Sequence, residues 1–398
     1  MKRKLVVYLN RKQSHYIQLD LIVILILLMT VSLLAIFNAQ QLGQYQDNFV
    51  LRQVIFFGIG ILILVAFQIL ESEQLEKISV YLYIVGIVLL LLLEISPESL
   101  AESRNNAKRA FTGLPGLTLQ PAELTKLAFI LFLSATIHKH KQRYEFATTK
   151  SDFLLIGKIL IYTVLPIIFI FQQPDLGTSI VFVFIAATMI LLSGIDWKIL
   201  TVVAVGSIVA IGLSLMLIVN LPELAEKVIG IKPYQIERIE TWFSPEVQDS
   251  NDTYQIDLSM LAVGSGQLNG KGMSNPEVQL PEAHTDFIFS IIGESFGFIG
   301  AAGVVFLFFL LLYKLLTLGM QVLEKNPFGA YVTFGYMSLI LIHTFQNIGM
   351  TIGIMPVTGI PLLFISYGGS TVLSTMIGFS IVYLIAVEHS KEGESLFS

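Results

Sequence analysis

The chain has 398 residues, of which 54% are hydrophobic and 13% are charged, and its formal net charge is −5. Average soluble proteins carry about 25% charged residues, so this composition excludes an ordinary water-soluble domain and indicates a membrane protein. The negative charge argues against nucleic acid as a partner. The absence of cysteine excludes disulfides, thiol nucleophiles and cysteine-ligated metals.

Apolar runs long enough to cross a bilayer follow one another along the chain. Ten runs can be distinguished, at residues 19–39, 53–70, 78–95, 121–137, 154–171, 177–194, 198–220, 286–313, 328–352 and 365–387. They predict an all-α polytopic membrane protein with about ten transmembrane helices. We expect residues 1–398 to form a single integral membrane domain.

Basic residues set the predicted orientation of these helices. Five of the first twelve residues are Lys or Arg, and the loop at 138–153 is also basic. Because cytoplasmic loops are enriched in Lys and Arg, and the number of spans is even, both termini are predicted to be cytoplasmic. Segments 96–120 and 221–285 then lie outside, the second as a large extracellular loop. Their basic residues suggest an anionic ligand there, or simply a few tolerated charges.

Polar residues occur where the even-numbered runs begin. Ionisable groups are expensive inside a membrane, so each needs a reason. Under the predicted topology every even-numbered run begins at the outer face, which brings these residues to one depth and predicts a single site. The residues are Arg52, Glu123, Lys126, Asp175 and Asp286, with Ser366 and Ser370 before the tenth run and Glu294 two turns deeper than Asp286.

Several polar residues in these regions also have a purely structural explanation. Glu123 and Lys126 are spaced i,i+3 and can neutralise each other on one helix face. Asp175 can be an N-cap, and Asp286 in a first helical turn would be stabilised by the helix dipole without any chemistry. His284, in an outer loop, favours a structural role over a catalytic one.

Motifs spread along the chain resemble those of the SEDS family (shape, elongation, division and sporulation proteins) of the RodA and FtsW type. The motifs are Asn106–Arg109, Gln120–Glu123 with Lys126, Gln173–Thr178, Ala262–Gly272, Leu280–Glu294, Pro356–Leu362 and Ser366–Ser370. They follow the family's order and cover nearly the whole chain. Departures at Ala110, Ser295 and Leu363 remove no ionisable group that we assign to chemistry.

The resemblance implies a peptidoglycan glycosyltransferase that polymerises lipid II into glycan strands at the outer face of the bacterial cytoplasmic membrane. It implies a role in cell wall elongation and cell shape, with a class B penicillin-binding protein, a transpeptidase, as partner. Lys108 and Arg109, upstream of Gln120–Glu123, are more similar to RodA than to FtsW.

The implied reaction joins the 4-hydroxyl of one sugar to the anomeric carbon of another, with inversion and departure of undecaprenyl pyrophosphate. A single inversion calls for a general base at the hydroxyl, and for positive charge or a metal at the pyrophosphate. Asp286 is the candidate catalytic base, and the resemblance points to the same residue. Glu282 would share its face only if the helix extended back that far, and two nearby carboxylates would raise each other's pKa.

Further polar residues on the same predicted face are candidates for binding substrate, the basic ones through pyrophosphate. They are Arg52, Lys108, Arg109, Glu123, Lys126, Asp175, Arg238, Lys271, Glu282, His284, Thr285, Ser366 and Ser370. Glu123 and Asp175 either orient these cations or bind a divalent cation such as Mg²⁺ or Mn²⁺. The sequence leaves the metal requirement open.

Two other functions compete with polymerisation. A flippase for lipid II is one, because translocation pathways use broken helices and intramembrane charges such as Glu294. It would need a polar trail through the cytoplasmic half of the bundle, where few ionisable residues occur. The other is a non-catalytic scaffold that recruits the transpeptidase, which would leave the clustered outer residues unexplained.

Overall fold

The computed structural model describes residues 18–44, 47–102, 108–114, 117–144, 148–220 and 251–395. Over these residues the protein is helical apart from one short antiparallel hairpin. The elements in chain order are α1 (Leu19–Gln40), α2 (Phe49–Phe67), α3 (Ser72–Ile95), β1 (Phe111–Leu114), β2 (Leu117–Leu119), α4 (Pro121–Arg143), α5 (Thr149–Gln172), α6 (Leu176–Leu192), α7 (Trp197–Asn220), α8 (Asn251–Ser265), α9 (Ile288–Val322), α10 (Pro327–Thr351) and α11 (Gly369–Ser395).

Each of the ten predicted runs coincides with a helix, which confirms a polytopic all-α membrane protein. In the part of the chain that the structure describes, eight helices are long and apolar enough to cross a membrane. The other two are α6, which has 17 residues, and α4, which carries charged residues in its first and last turns. Helix α8 lies within the predicted loop 221–285, so part of that loop has regular structure.

Helices α2, α4, α6, α9 and α11 all begin at one end of the bundle, which we call the Asp286 end. There the N–H of Gln120 donates to Ser370 Oγ at 2.9 Å, joining the start of α4 to the start of α11. At the opposite end Gln18 Nε2 donates to Ser390 Oγ at 2.7 Å. The predicted convergence of the even-numbered runs on one face is therefore present.

Helices α10 and α11 form the interior of the bundle. In their apolar windows 78% and 83% of the residues are buried, against 28% for α2 and α3. Helix α10 packs against α4, α6 and α9, and α11 packs against α2. The outer helices present exposed apolar side chains such as Leu62, Ile161 and Leu213. An apolar surface of this extent fits contact with lipid better than contact with water.

Glycines allow the central helices to approach closely. A Cβ at Gly335 of α10 would lie 2.6 Å from Ile130 Cγ2 of α4, and a Cβ at Gly378 of α11 would lie 2.3 Å from the Tyr336 ring of α10. Both distances are too short for a side chain, so only glycine permits this packing, as is common between transmembrane helices. The Tyr336 hydroxyl donates to the Thr375 carbonyl at 2.7 Å, which satisfies a buried polar group between α10 and α11.

Helix α9 is kinked at Gly297, whose φ is 64° and ψ is −162°. Residues 266–281, which precede Asp286, enter this break. The N–H groups of residues 298 and 299 donate to the carbonyls of residues 267 and 268, at 2.8 and 3.2 Å. The carbonyls of residues 294 and 295 accept from the N–H groups of residues 271 and 272, both at 2.9 Å. The 266–281 segment thus supplies the hydrogen bonds that the kink removes from α9.

Candidate active site

Asp286 lies in the turn 281–287, directly before α9. The helix begins at Ile288 with Phe287 as its N-cap, so Asp286 precedes the helix rather than lying in its first turn as predicted. The turn is built around Glu282, whose φ is 51° and whose carbonyl accepts from the N–H groups of Thr285 and Phe287 at 3.1 and 3.3 Å. Glu282 is exposed and Asp286 is half-buried.

Three successive carbonyls of this turn, at residues 284–286, accept hydrogen bonds from other parts of the bundle. The N–H of Tyr367 donates to the first at 2.9 Å. The hydroxyl of Ser366 donates to the second at 2.7 Å, and the amide of Asn347 donates to the third at 2.7 Å. The backbone that carries Asp286 is therefore fixed by α10 and by the residues that precede α11.

The carboxylate of Asp286 faces the segment 356–361, which connects α10 to α11. Gly359 has a φ of 68°, and a Cβ added there would lie 3.5 Å from Asp286 Oδ2. The same segment packs on the start of α6, where a Cβ at Gly177 would lie 2.8 Å from the carbonyl oxygen of Thr358. These close approaches bring Asp286 and the N-terminus of α6 to the same backbone segment.

The pKa of Asp286 is raised from 3.8 to about 7, mainly by burial. The negative charges of Glu282 and Asp175 contribute to this rise, and the positive charge of Arg109 opposes it. A general base is most effective when its pKa lies near the working pH. A carboxyl group with a perturbed pKa beside three other charged side chains is typical of an active site.

Asp175 and Arg109 are positioned by backbone groups near the start of α6. Asp175 is the N-cap of α6, since its Oδ1 accepts from the N–H of Thr178 at 2.9 Å. This is the structural role that the sequence allowed for Asp175. The guanidinium of Arg109 donates to the carbonyls of Gln173 and Pro174, at 3.4 and 2.9 Å. The charges of both residues act on the pKa of Asp286, so both side chains lie near its carboxyl group.

Lys126 and Glu123 form a buried ion pair, with 2.8 Å between Lys126 Nζ and Glu123 Oε1. The Lys126 side chain is only 1% exposed, and its Nζ also lies 3.1 Å from His343 Nε2. Because an ammonium group only donates, Nε2 accepts, and Nδ1 carries the proton given to the Pro361 carbonyl at 3.0 Å. The i,i+3 neutralisation is thus what the structure contains, and burial leaves Lys126 away from any surface that pyrophosphate could reach.

Two further basic candidates, Arg52 and Lys108, have partners outside this buried pair. Arg52 is exposed and pairs with Asp47 at 2.8 Å. Lys108 donates from Nζ to the carbonyl of Ser96 at 2.5 Å. Arg238 lies outside the described residues.

Lys271 is engaged by carboxylates of the 266–281 segment and of α9. Its Nζ lies 2.8 Å from Glu277 Oε2 and 2.7 Å from Glu294 Oε1. Burial lowers the pKa of Lys271, but these two hydrogen bonds outweigh it, and the pKa is raised overall. Glu294 Oε1 also accepts from the N–H groups of Glu277 and Val278 at 2.9 and 3.2 Å. The position of Lys271 therefore favours a role in anchoring the 266–281 segment.

The polar residues near Asp286 have partners within the protein. The buried ring of His284 stacks on Phe49 with 4.1 Å between centroids, and burial lowers its pKa while Glu282 partly opposes this. Thr285 Oγ1 donates to Glu282 Oε2 at 3.1 Å. Ser366 and Ser370 are buried, and their hydroxyls donate to the carbonyls of Thr285 and Thr118. Their predicted contact with substrate stays a prediction, while their observed contacts are with protein.

Sequence reasoning missed His343 and Asn347 of α10. Both are buried, and they contact carbonyls of two neighbouring residues, Pro361 and Ile360, at 3.0 and 2.8 Å. The available signal was their i,i+4 spacing, which places two polar side chains on one face of an otherwise apolar run.

Comparison with known proteins was made for sequence and for structure. The family model described as "Cell cycle protein", which covers FtsW, RodA and SpoVE, matches residues 12–391. The chain is 30% identical over 371 residues to peptidoglycan glycosyltransferase MrdB of Escherichia coli K12, with 92% of each chain covered. It is 28% identical over 396 residues to the probable peptidoglycan glycosyltransferase FtsW of Geobacter metallireducens, covering 97% of this chain and 98% of that one.

Stage V sporulation protein E of Bacillus subtilis is 30% identical over 372 residues, covering 91% of this chain and 94% of that one.

Solved structures share the fold. A chain from a study of the structural coordination of polymerization and crosslinking by a peptidoglycan synthase complex has a TM-score of 0.73 at 24% identity, with 93% of this chain and 97% of that one covered. RodA of Thermus thermophilus has a TM-score of 0.63 at 24% identity, with 92% and 95% covered. Since the family match spans nearly all of the sequence and the fold agrees throughout, the chain belongs to the FtsW, RodA and SpoVE family, the SEDS proteins.

Proposed function

We propose that this protein is a peptidoglycan glycosyltransferase that polymerises lipid II. The observation that carries the proposal is Asp286, a half-buried carboxyl group with a pKa of about 7 in a turn fixed by three hydrogen bonds. Relatives named peptidoglycan glycosyltransferases support the reaction class, at 30% and 28% identity over nearly the whole chain.

In the proposed reaction Asp286 accepts the proton of the attacking 4-hydroxyl. The new bond forms between this oxygen and the anomeric carbon of the second sugar as the bond from that carbon to the pyrophosphate oxygen breaks. Undecaprenyl pyrophosphate leaves with the electron pair, and the proton remains on Asp286 until solvent removes it. A single displacement with inversion requires no glycosyl-enzyme bond.

Arg109 is the strongest candidate for contact with the pyrophosphate. Its charge acts on Asp286, it is exposed, and its fork geometry suits two-point contact with phosphate. Arg52 and Lys108 lie on the same end of the bundle and supply further positive charge. This assignment replaces Lys126, whose ammonium is enclosed by Glu123 and His343.

A requirement for Mg²⁺ or Mn²⁺ remains a proposal. Among the described residues, no group of three or more His, Asp or Glu side chains has a geometry that could hold a metal ion. Magnesium is often held by one or two carboxylates together with substrate phosphates. Asp286 and Asp175 therefore fit a metal only as part of a shell that the pyrophosphate completes, and the mechanism above uses neither as a metal ligand.

We place the site at the outer face of the bacterial cytoplasmic membrane, because lipid II polymerisation takes place there. The basic termini and the basic loop 138–153 predict that the opposite end of the bundle is cytoplasmic. A class B penicillin-binding protein as partner fits the related chain, which belongs to a study of a peptidoglycan synthase complex that coordinates polymerization and crosslinking. Duty in elongation and cell shape follows from the likeness to RodA.

The test is polymerisation of labelled lipid II by purified protein, with and without a class B penicillin-binding protein. Asp286→Asn keeps the shape of the side chain but removes the base. Asp20→Asn is the matched control, because Asp20 is a carboxylate in an ion pair with Lys314 on α9, away from the Asp286 site. We expect glycan strands from the wild type and from Asp20→Asn, and none from Asp286→Asn.

Equal polymerisation by Asp286→Asn would contradict the assignment of the base and direct the search to Glu282 and Asp175. A wild type that makes no polymer with a bound partner, yet moves labelled lipid II across vesicle membranes, would favour the flippase. Inactivity in both assays would favour the scaffold.

A further inference from the structure

The side chain of Asn347 joins two separate backbone segments at the proposed active site. Its Nδ2 donates to the carbonyl of Asp286 at 2.7 Å and to the carbonyl of Ile360 at 2.8 Å. The first carbonyl belongs to the turn 281–287, which we call the catalytic turn because it carries the proposed base, and the second belongs to the 356–361 segment that faces the Asp286 carboxylate. A single NH₂ group therefore sets the distance between the base and the backbone opposite it.

The chemistry of this position admits only asparagine among side chains of its size. Ser and Thr have one donor, ionised Asp has none, and a longer Gln amide would place its nitrogen elsewhere. Asn347 is fully buried, and its Oδ1 has no hydrogen-bond partner among the described residues. An unpaired buried acceptor costs about 1–3 kcal/mol. The two hydrogen bonds from its amide group to the carbonyls of Asp286 and Ile360 explain why an asparagine occupies this position despite that cost.

Neighbouring contacts fix the position of the 356–361 segment, from which the distance to Asp286 is set. His343, one turn earlier on α10, holds the adjacent carbonyl of Pro361 through Nδ1 at 3.0 Å, and is itself bonded to Lys126. The segment also packs on Gly177 at the start of α6, where no side chain would fit. With this segment fixed on two sides, Asn347 fixes the catalytic turn relative to it.

We infer that Asn347 is a positioning residue for lipid II polymerisation, acting through the backbone of Asp286 to hold the catalytic carboxylate against the 356–361 segment. This inference rests on the proposed function. It predicts a loss in the chemical step rather than in substrate binding, because Asn347 is buried behind the turn. Misplacement of a catalytic group by about 1 Å can lower a rate by about 100-fold.

The experiment measures steady-state polymerisation of labelled lipid II by the wild type, Asn347→Ala and Asn347→Asp, each with the partner penicillin-binding protein. Ser338→Ala is the matched control, because Ser338 is buried in the same helix and its hydroxyl bonds only within it, to Gly335 at 2.7 Å. We expect kcat to fall about 10–100-fold in both Asn347 variants while KM stays within about twofold. Ser338→Ala should match the wild type.

A second readout separates positioning from general stability. In Asn347→Ala the pH midpoint of kcat should move to lower pH. Without this hydrogen bond the turn can move, so that the Asp286 carboxylate approaches water and separates from the charged groups that face it, which are Glu282, Asp175 and Arg109. Thermal unfolding in detergent is measured on the same samples.

Unchanged kcat in the folded variants would overturn the inference, as would a loss that only follows the amount of unfolded protein. Inactive wild-type protein would instead contradict the proposed function itself.

Discussion

The rate of polymerisation should depend on the ionisation of Asp286. Its pKa rises from 3.8 to about 7, mainly because of burial. At about 1.36 kcal/mol for each pKa unit, this rise corresponds to about 4 kcal/mol against the charged carboxylate. The carboxylate is the active form of a base, so activity should rise with pH. With a pKa of about 7, the ionised fraction grows about tenfold between pH 6 and pH 8.

Two substitutions should move this pH profile in opposite directions. Glu282→Gln removes a negative charge that raises the pKa of Asp286, so the midpoint should move to lower pH. Arg109→Gln removes the positive charge that opposes the rise, so the midpoint should move to higher pH. Glu282 is exposed, and the Gln side chain keeps an acceptor for Thr285 Oγ1, so the turn itself should persist.

The assay is the initial rate of polymerisation of labelled lipid II at saturating substrate, measured from pH 5 to pH 9 with Asp20→Asn as control. A rate that changes less than about twofold between pH 6 and pH 8 would mean that Asp286 is not the rate-determining base or that water lowers its pKa. Midpoint shifts of the same sign for Glu282→Gln and Arg109→Gln would refute the electrostatic account.

Three further substitutions test how the site is supported. Lys126→Met leaves the buried Glu123 carboxylate without its cation. This should destabilise the fold by about 3–5 kcal/mol, measured as a lower Tm in detergent. The double variant with Glu123→Gln should regain most of the lost stability. Glu294→Ala removes the acceptor for Lys271 and for two N–H groups, and limited proteolysis should then cut the 266–281 segment faster. Gly177→Val forces a side chain against Thr358, so it should lower kcat and reduce stability by about 1–3 kcal/mol. Gly157 has open space around it, so the control Gly157→Val should leave kcat and stability unchanged.

The length of the apolar runs predicted the helices well, since each of the ten runs coincides with a helix. The strongest constraint was the bilayer, which requires every spanning segment to satisfy its own backbone hydrogen bonds. The start of α9 was placed two residues early, because Asp286 and Phe287 belong to a turn set by the positive φ of Glu282. The pattern of apolar residues does not indicate such a backbone conformation.

The meeting of polar residues at one end of the bundle was also predictable, whereas the role of each residue was not. Polar residues at the starts of even-numbered runs do converge, but several of them bind protein. Lys126 pairs with Glu123, Asp175 caps α6, and Ser366 donates to a carbonyl of the catalytic turn. Sequence shows that a polar group lies at a given depth in the membrane. It does not show whether its partner is substrate or backbone, because this depends on which loops meet it.

These loops explain why polar residues occur deep in α10. Irregular backbone at membrane depth is tolerated only where protein or water satisfies its polar groups. The Asp286 turn and the 356–361 segment are both irregular, and their carbonyls accept from Asn347 and His343. A helix at these positions would satisfy its own carbonyls and would need neither donor. The buried amide and imidazole of α10 therefore accompany the non-helical backbone that carries the proposed base, and their removal should affect catalysis before it affects the fold.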